Sequence, residues 1–218
     1  MVPCGADDMS GTDRLLQQAA EGDQASWGAM VEEHRPRLRR MVALRLDPRL
    51  QGRIDPSDVI QETFLEAAVR LAEYLRKPTM PFYLWLRFMA GQKLVTLHRH
   101  HFGAQMRDVG REISLHRGRL PETTSAALAA QLLGRDPRPS EAAVRAEVKL
   151  RLQEALNSMD PVDREVLALR HFEQLTLAET AAVLGITESG ACRRYLRALK
   201  RLKEILNNLP GGMGELLP

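Results

Sequence analysis

Apolar residues in this chain recur every three or four positions, and no alternating apolar and polar pattern persists beyond a few residues. Alanine, leucine, arginine, glutamate and glutamine fill the periodic segments, where prolines and β-branched residues are sparse. Such a chain buries helical faces rather than the face of a sheet. We predict an all-α fold with two helical domains joined by a flexible linker.

The helical pattern weakens between Phe102 and Ser140, where glycines and prolines are scattered among arginine, serine and threonine. A segment of this length is more typical of a connection between modules than of a loop inside a compact domain. A short helix near Ser125–Leu133 is left open within it. The predicted divisions are a flexible N-terminus at 1–12, a first domain at 13–102, a linker at 103–140, a second domain at 141–207 and a flexible tail at 208–218.

One helix of the first domain has a clear predicted start, because Asp55 can cap it and Pro56 suits its first turn. Its outward face carries Asp58, Glu62 and Glu66 at intervals of four residues. Like charges at this spacing repel each other. A docking face for a basic partner explains the acidic row better than a merely solvated face, which is the alternative.

The next predicted helix, from Phe82 to about His101, contains aromatic and basic residues but no acidic residue. Arg87, Lys93 and Arg99 lie among its rings, and this mixture suits single-stranded nucleic acid. Most of the rings are nevertheless expected in the core. Three histidines near its end have no carboxylate or cysteine nearby in sequence, so we predict no metal site.

The second domain ends in a helix-turn-helix pattern. Thr176 and Glu179 form a capping box, Gly185 closes the short helix, and Thr187 caps a longer one. From Thr187 to Lys203 the last helix has six basic residues and one acidic residue. A helix of this kind can enter the major groove of DNA. A solvated basic face is the alternative.

Three segments carry a family resemblance: Asp55 to Leu65 (DPSDVIQETFL), Leu175 to Ile186 (LTLAETAAVLGI) and Arg193 to Lys200 (RRYLRALK). The first resembles the core-binding helix of domain two of sigma-70 family factors. The other two are similar to the helix-turn-helix of their domain four. With no domain three between them, the arrangement resembles the extracytoplasmic-function group, whose members direct RNA polymerase to promoters.

The resemblance implies three sets of contact residues. The residues that would dock on the beta-prime subunit of RNA polymerase core are Asp58, Gln61, Glu62 and Leu65. The residues that would meet the opened minus-ten element are Arg87, Gln92, Lys93, Thr96 and Arg99. The residues that would contact the minus-thirty-five duplex are Thr187, Ser189, Arg193, Arg194, Arg197 and Lys200.

The sequence departs from the family pattern at two places. The usual Ala-Arg-Asn of the minus-ten helix is Ala90-Gly91-Gln92 here, and Cys192 stands where the recognition helix often has lysine. The promoter sequence therefore does not carry over. The implied partners are the beta-prime and beta subunits of core polymerase and promoter DNA, with an anti-sigma factor left open.

The chain is expected to work in the cytoplasm without cofactors and without inserting into a membrane. The residues from Met1 to Thr12 have no basic start and no apolar run, and Gln131 interrupts the later apolar stretch. Cys4 and Cys192 are too far apart in sequence to form a CxxC motif, which fits a reducing compartment. The net charge is only +3, so the distribution of charge matters more than its sum.

Two other classes of protein compete with this prediction. A conventional helix-turn-helix regulator would bind an operator as a dimer, but the sequence offers no sustained heptad seam. A nuclease could use Asp58, Glu62 and Glu66 as magnesium ligands. Two-metal chemistry normally gathers its ligands from several elements, and no nucleophile motif is evident. We therefore predict no enzymatic activity.

Overall fold

The structure, a computed structural model, describes residues 11–47, 49–50, 52–102, 123–133 and 142–208. These residues form helices and connecting turns, with no strand among them, which confirms the predicted all-α fold. The helices are α1 (Gly11–Ala20), α2 (Gln24–Arg45), α3 (Pro56–Arg76), α4 (Phe82–Phe102), α5 (Ser125–Leu132), α6 (Ala142–Asn157), α7 (Pro161–Leu167), α8 (Leu177–Leu184) and α9 (Glu188–Asn207).

The first four helices pack around one apolar core. The fully buried members include Met30 and Leu38 of α2, Ile60 of α3, and Leu86 and Leu94 of α4. The start of α3 is the predicted one, since the Asp55 carboxylate accepts a hydrogen bond from the Ser57 N–H at 2.7 Å and Pro56 is the first helical residue. This cap fixes where the outward face of α3 begins.

The predicted helix-turn-helix is formed by α8 and α9. The Thr176 hydroxyl accepts from the Glu179 N–H, and the Glu179 carboxylate accepts from the Thr176 N–H. Gly185 ends α8 with φ of +64°, a conformation that glycine adopts without the strain a Cβ would cause. Thr187 caps α9 by accepting from the Gly190 N–H at 3.1 Å. These caps set the turn between the two helices.

A π-helical turn (Ala168–Phe172) continues α7 and was not foreseen from the sequence. The Glu173 N–H donates to the Ala168 carbonyl at 2.9 Å, and Gln174 follows with a positive φ of 58°. Wide turns of this kind re-aim the residues that follow them. Here the residue that is re-aimed is Glu173, whose side chain is directed into the interior between the two helical groups.

Part of the predicted linker is a packed helix. The Thr124 hydroxyl caps α5 by accepting from the Ala127 N–H at 3.1 Å. Leu128 of α5 is buried in a second apolar core with Leu152 and Leu156 of α6, and Leu44 from the end of α2 joins the same core. The rest of the predicted linker, and most of the N-terminus and tail predicted to be flexible, lie outside the described residues.

We predict that His34 makes the fold less stable in mild acid. His34 is buried against Phe82 and Tyr83, and neither ring nitrogen has a hydrogen-bond partner among the described residues. Burial lowers the pKa of His34 below its usual value of 6.5. The unfolded chain therefore gains its proton first, and the free energy of unfolding decreases as pH falls through 6.5 towards the folded pKa.

The test is urea denaturation of the wild type and of His34→Leu at pH 8 and pH 5.5, followed by circular dichroism. Each unit of pKa difference is worth about 1.4 kcal/mol. The variant should lose less stability between the two pH values than the wild type loses. His98 also has a lowered pKa and keeps part of the dependence in both proteins. Equal losses in the two proteins would remove His34 as the cause.

Candidate functional site

The outward face of α3 exposes all four residues of the predicted core-binding set. Asp58, Gln61 and Glu62 are exposed, and Leu65 has 64% of its surface accessible. Val69, one turn beyond Leu65 on the same face, is 84% accessible and was missed by the sequence reasoning. Two large apolar side chains held in water beside carboxylates are typical of a binding surface.

The acidic row on this face is partly neutralised by α4. The ammonium of Lys93 lies 3.7 Å from a carboxylate oxygen of Glu62 and 3.0 Å from one of Glu66. Arg70 also pairs with Glu66, at 3.2 Å. These contacts relieve the repulsion expected along the row. They also place Lys93, a predicted DNA contact, against the predicted core-binding face.

Three of the predicted minus-ten residues share one exposed face of α4. Gln92, Thr96 and Arg99 are exposed and follow each other at steps of four and three residues, so they line one side of the helix. The Thr96 hydroxyl donates to the Gln92 carbonyl at 3.0 Å. Lys93 flanks this face with 22% of its side chain accessible.

Two partly exposed rings extend the same face towards the start of α4. By helical spacing, Trp85 and Phe88 lie in line with Gln92, Thr96 and Arg99. The Trp85 ring stacks on Tyr74 with centroids 4.6 Å apart, which holds it in place. The sequence placed rings in this helix but could not separate these two from the rings buried in the core.

Arg87 lies on the opposite side of α4 from the other predicted minus-ten residues. It is only 5% accessible, and its Nε donates to Glu173 at 2.8 Å. A second carboxylate, Glu165, lies 3.9 Å from its guanidinium, and Arg45 of α2 pairs with both carboxylates. In this arrangement the Arg87 side chain does not reach the face that Gln92, Thr96 and Arg99 share.

The predicted minus-thirty-five residues lie at the N-cap of α9 and along the helix as far as Lys200. Ser189, Arg193, Arg197 and Lys200 are exposed along one stripe, and Arg194 lies partly exposed beside it. Thr187 is at the cap, where its hydroxyl lies 3.3 Å from that of Ser189. Leu196, 59% accessible on the same side, was missed by the sequence reasoning. An exposed apolar residue among arginines suits contact with a thymine methyl group.

Asp163 of α7 orients two of these arginines. Its carboxylate accepts two hydrogen bonds from Arg197, both at 2.7 Å, and one from Arg194 at 3.4 Å. Hydrogen bonds from Arg197 lower the pKa of Asp163 below its usual value, against the effect of burial. Sequence reasoning missed Asp163, which lies 34 residues before Arg197.

The described residues contain neither a cluster of metal-ligand side chains nor a helix that could span a membrane. No group of three or more histidine, cysteine, aspartate or glutamate side chains in this part of the chain is arranged to hold a metal ion. None of the described helices has a stretch apolar and long enough to cross a membrane.

A small cavity between α5, α6 and α9 is lined mainly by leucines, together with His171 and Phe172.

A helix-turn-helix whose second helix is basic is typical of DNA-binding proteins, and the exposed acidic and apolar face of α3 is typical of a surface that binds another macromolecule. The family model described as "Sigma-70, region 4" matches residues 155–204. The chain is 31% identical over 205 residues to the RNA polymerase sigma factor CnrH of Cupriavidus metallidurans, a match that covers 89% of this chain and 94% of that protein.

Another curated protein and a solved structure to which the chain is similar are also sigma factors. The ECF RNA polymerase sigma factor SigD of Mycobacterium tuberculosis is 29% identical over 192 residues, covering 88% of this chain and 82% of that protein. A solved structure of CnrH in complex with the cytosolic domain of CnrY is 25% identical, with a TM-score of 0.52 and coverage of 90% of this chain and 97% of that one. This chain belongs to the extracytoplasmic-function group of the sigma-70 family.

The family membership confirms the predicted function: the chain is a sigma factor, which binds RNA polymerase core and directs transcription initiation at promoters. It favours this function over the dimeric regulator considered from the sequence. Sigma factors are non-enzymatic initiation factors. The roles of the individual contact residues named in the sequence analysis stay predictions.

We predict that Arg197 contributes to the stability of the second domain whereas Arg193 does not. Arg197→Ala removes a two-point contact with the nearly buried carboxylate of Asp163 and should lower the free energy of unfolding by roughly 1–2 kcal/mol. Arg193→Ala makes the same change of charge at an exposed position of the same helix. Urea denaturation of both variants is the measurement, and equal losses would contradict the orienting role of Asp163.

Proposed function

We propose that three surfaces of this sigma factor divide the work of initiation. The outward face of α3 docks on core polymerase, the exposed face of α4 holds the opened minus-ten strand, and α9 enters the minus-thirty-five duplex. The observation that supports this division most directly is the exposure of Leu65 and Val69 beside Asp58 and Glu62. On a face that only contacts water, two large apolar side chains would be unfavourable, because their surface stays hydrated.

The chemistry of the α3 face suits a partner helix with basic residues around an apolar centre. Burying Leu65 and Val69 supplies the attraction, because removing apolar surface from water is favourable. Asp58 and Glu62 add charge complementarity, which fixes orientation and speeds association. The resemblance to sigma factors supports the coiled coil of the beta-prime subunit as this partner.

We expect Asp58→Lys combined with Glu62→Lys to abolish binding to core polymerase without unfolding the chain. Both carboxylates are exposed and lie outside the apolar core. The measurement is co-elution with purified core in gel filtration, with circular dichroism to confirm the fold.

The matched control is Glu21→Lys combined with Glu33→Lys, two exposed positions outside α3 that give the same change in net charge. The control should co-elute with core as the wild type does. If the α3 double variant stays folded and also co-elutes at the wild-type level, the docking assignment is wrong.

The exposed face of α4 suits an unpaired strand. Gln92, Thr96 and Arg99 offer hydrogen bonds and one positive charge, and the partly exposed Trp85 and Phe88 offer ring surface on which bases can stack. Base stacking on aromatic side chains tolerates different sequences. The polar residues of the face are therefore the better candidates for selecting particular bases.

The stripe on α9 suits duplex DNA. Ser189, Arg193 and Leu196 lie in the first half of the helix, where a recognition helix meets base edges, and Lys200 lies further along towards the phosphates. Asp163 fixes Arg197 in a single orientation, which lowers the conformational entropy that this side chain loses on binding.

We expect Arg193→Ala and Lys200→Ala to weaken promoter binding in different ways. Lys200→Ala should reduce the slope of log affinity against log salt by about one, with little change of sequence preference. Arg193→Ala should cost roughly 1–3 kcal/mol on the preferred duplex and relax the preference at one base pair.

The measurement is fluorescence anisotropy of the holoenzyme on a promoter duplex selected in vitro, repeated with single-base variants at several salt concentrations. Lys203→Ala, which changes charge nearer the end of α9, serves as a positional comparison. Identical salt slopes and identical base preferences for Arg193→Ala and Lys200→Ala would contradict the division between base and phosphate contacts.

We also propose that the chain acts in the cytoplasm, where RNA polymerase works, and that it has no catalytic activity or cofactor of its own. The similar CnrH structure contains the cytosolic domain of CnrY. This observation supports an anti-sigma partner for the present chain as well. Such a partner stays a prediction.

A further inference from the structure

Asp163 of α7 holds one edge of the Arg197 guanidinium. The contact has two points, because Nε of Arg197 donates to Oδ2 of Asp163 and Nη2 donates to Oδ1, both at 2.7 Å. The Asp163 side chain is only 8% accessible, whereas that of Arg197 is 59% accessible. An exposed guanidinium is therefore anchored on a nearly buried carboxylate.

The packing of α7 against α9 sets the position of this carboxylate. Leu167 of α7 and Ala198 of α9 are buried in the same apolar core. Asp163 lies one turn before Leu167, and Arg197 directly precedes Ala198. Both members of the ion pair are thus attached to packed backbone. The carboxylate also accepts a longer hydrogen bond, at 3.4 Å, from Arg194.

The far end of the Arg197 guanidinium lies outside this contact. A guanidinium carries its N–H groups in a rigid planar fork. Asp163 accepts from Nε and from one hydrogen of Nη2, and neither bond uses Nη1. The far end therefore presents one hydrogen of Nη1 and one of Nη2 side by side, in a plane that Asp163 fixes.

Two parallel donors in a fixed plane match a pair of neighbouring acceptors. In the major groove guanine presents two acceptors, N7 and O6. Adenine presents one acceptor beside a donor, thymine presents one acceptor beside a methyl group, and cytosine presents a donor. Guanine is therefore the base whose edge fits the far end of Arg197.

A phosphate is the competing acceptor, and Asp163 makes it the poorer one. Hydrogen bonds from Arg197 lower the pKa of Asp163 below its usual value, so the carboxylate is ionised at neutral pH. Its negative charge offsets that of Arg197 and repels an approaching phosphate. A neutral base edge does not experience this repulsion. The exposed ammonium of Lys200 is the better phosphate contact on the same stripe.

We propose that Arg197 specifies a guanine in the minus-thirty-five duplex and that Asp163 is a positioning residue for this contact. Arg197 lies one turn beyond Arg193 and next to Leu196, so its side chain faces the same groove. This inference rests on the proposed entry of α9 into the duplex. It adds the identity of one base and the role of a residue outside the recognition helix.

The test uses holoenzyme and a promoter duplex selected in vitro with the wild-type chain. Each guanine of the minus-thirty-five element is replaced in turn by adenine and by 7-deazaguanine, which lacks the N7 acceptor, and affinity is measured by fluorescence anisotropy. At one guanine, adenine should weaken wild-type binding about tenfold or more, as for a bidentate base contact, and 7-deazaguanine by a smaller factor. Arg197→Ala should bind all three duplexes equally. If Arg197→Ala relaxes the preference for no guanine, the assignment is wrong.

Asp163→Ala keeps Arg197 and removes only its partner. The preference for the same guanine should largely disappear, while the slope of log affinity against log salt should steepen by up to about one, because the freed arginine can bind a phosphate. Adding Asp163→Ala to Arg197→Ala should cause no further loss of preference, since Asp163 acts through Arg197. A loss of affinity spread equally over all base pairs would indicate a structural role only and would overturn the positioning assignment.

Asp163→Asn covers the case in which the alanine variant is too unstable to assay. It keeps the shape of the side chain and one acceptor oxygen, so it should show the same change to a smaller degree. Circular dichroism at the assay temperature checks that each variant is folded. An unchanged guanine preference in the folded Asp163 variants would overturn the proposal.

Glu204→Ala is the matched control. Glu204 is the acidic partner of another arginine of α9, since it lies 3.3 Å from Arg201, and both side chains are about half exposed. Removing Glu204 makes the same change of charge and releases an arginine, yet the guanine preference should stay at the wild-type value. An equal loss of preference in Glu204→Ala and Asp163→Ala would assign the effect to charge rather than to orientation.

This inference and the proposed role of α9 fail in different ways. If Arg193→Ala and Lys200→Ala leave promoter binding unchanged, α9 does not enter the duplex and both proposals are wrong. If those two variants weaken binding as expected but Arg197→Ala changes no guanine preference, only the guanine assignment is wrong.

Discussion

The pairing of two arginines from the first domain with two glutamates from the second fixes how the two halves of this molecule meet. A single buried charge is strongly disfavoured, so Arg45 can be buried at the end of α2 only with Glu165 and Glu173 present. Deleting one partner of such a pair costs about 3–5 kcal/mol, although the intact pair adds little. The constraint is one of arrangement: any shift of the second domain leaves charges without partners.

Local backbone geometry places the groups of the second domain that meet these arginines. The π-helical turn after α7 and the positive φ at Gln174 place the Glu173 carboxylate on Arg45 and Arg87. They also present the Glu173 and Gln174 carbonyls to Arg37. A regular helix through this segment would use those carbonyls internally. The contact between the domains therefore depends on this irregular turn.

The sequence was sufficient for features that depend on nearby residues. The caps at Asp55, Thr176 and Thr187 rest on contacts two or three residues away, and all are present. The acidic and apolar stripes of α3 follow from helical spacing alone. By contrast, Arg45 and Glu173 are separated by 128 positions, and no local pattern reports that they meet.

Arg87 shows why residue type alone does not locate a site. Its charge matches that of Arg99, yet it lies about three turns earlier and on a different side of α4. Glutamates supplied by a distant segment bury it, whereas Arg99 faces solvent. The angular positions of the two arginines around α4 distinguish them. These positions predict which arginine is buried only when the segment that packs on that side of the helix is known.

The two helices that are proposed to read DNA differ in how the contact between the domains affects them. Ser189, Arg193 and Lys200 on α9 stay exposed while the domains are in contact, whereas α4 has its Arg87 side covered. The contact between the domains therefore leaves the basic stripe of α9 exposed and covers the side of α4 that lies away from Gln92, Thr96 and Arg99. The polar face of α4 and the basic stripe of α9 are therefore both open to a partner in this arrangement, whereas Arg87 is held by glutamates of the second domain.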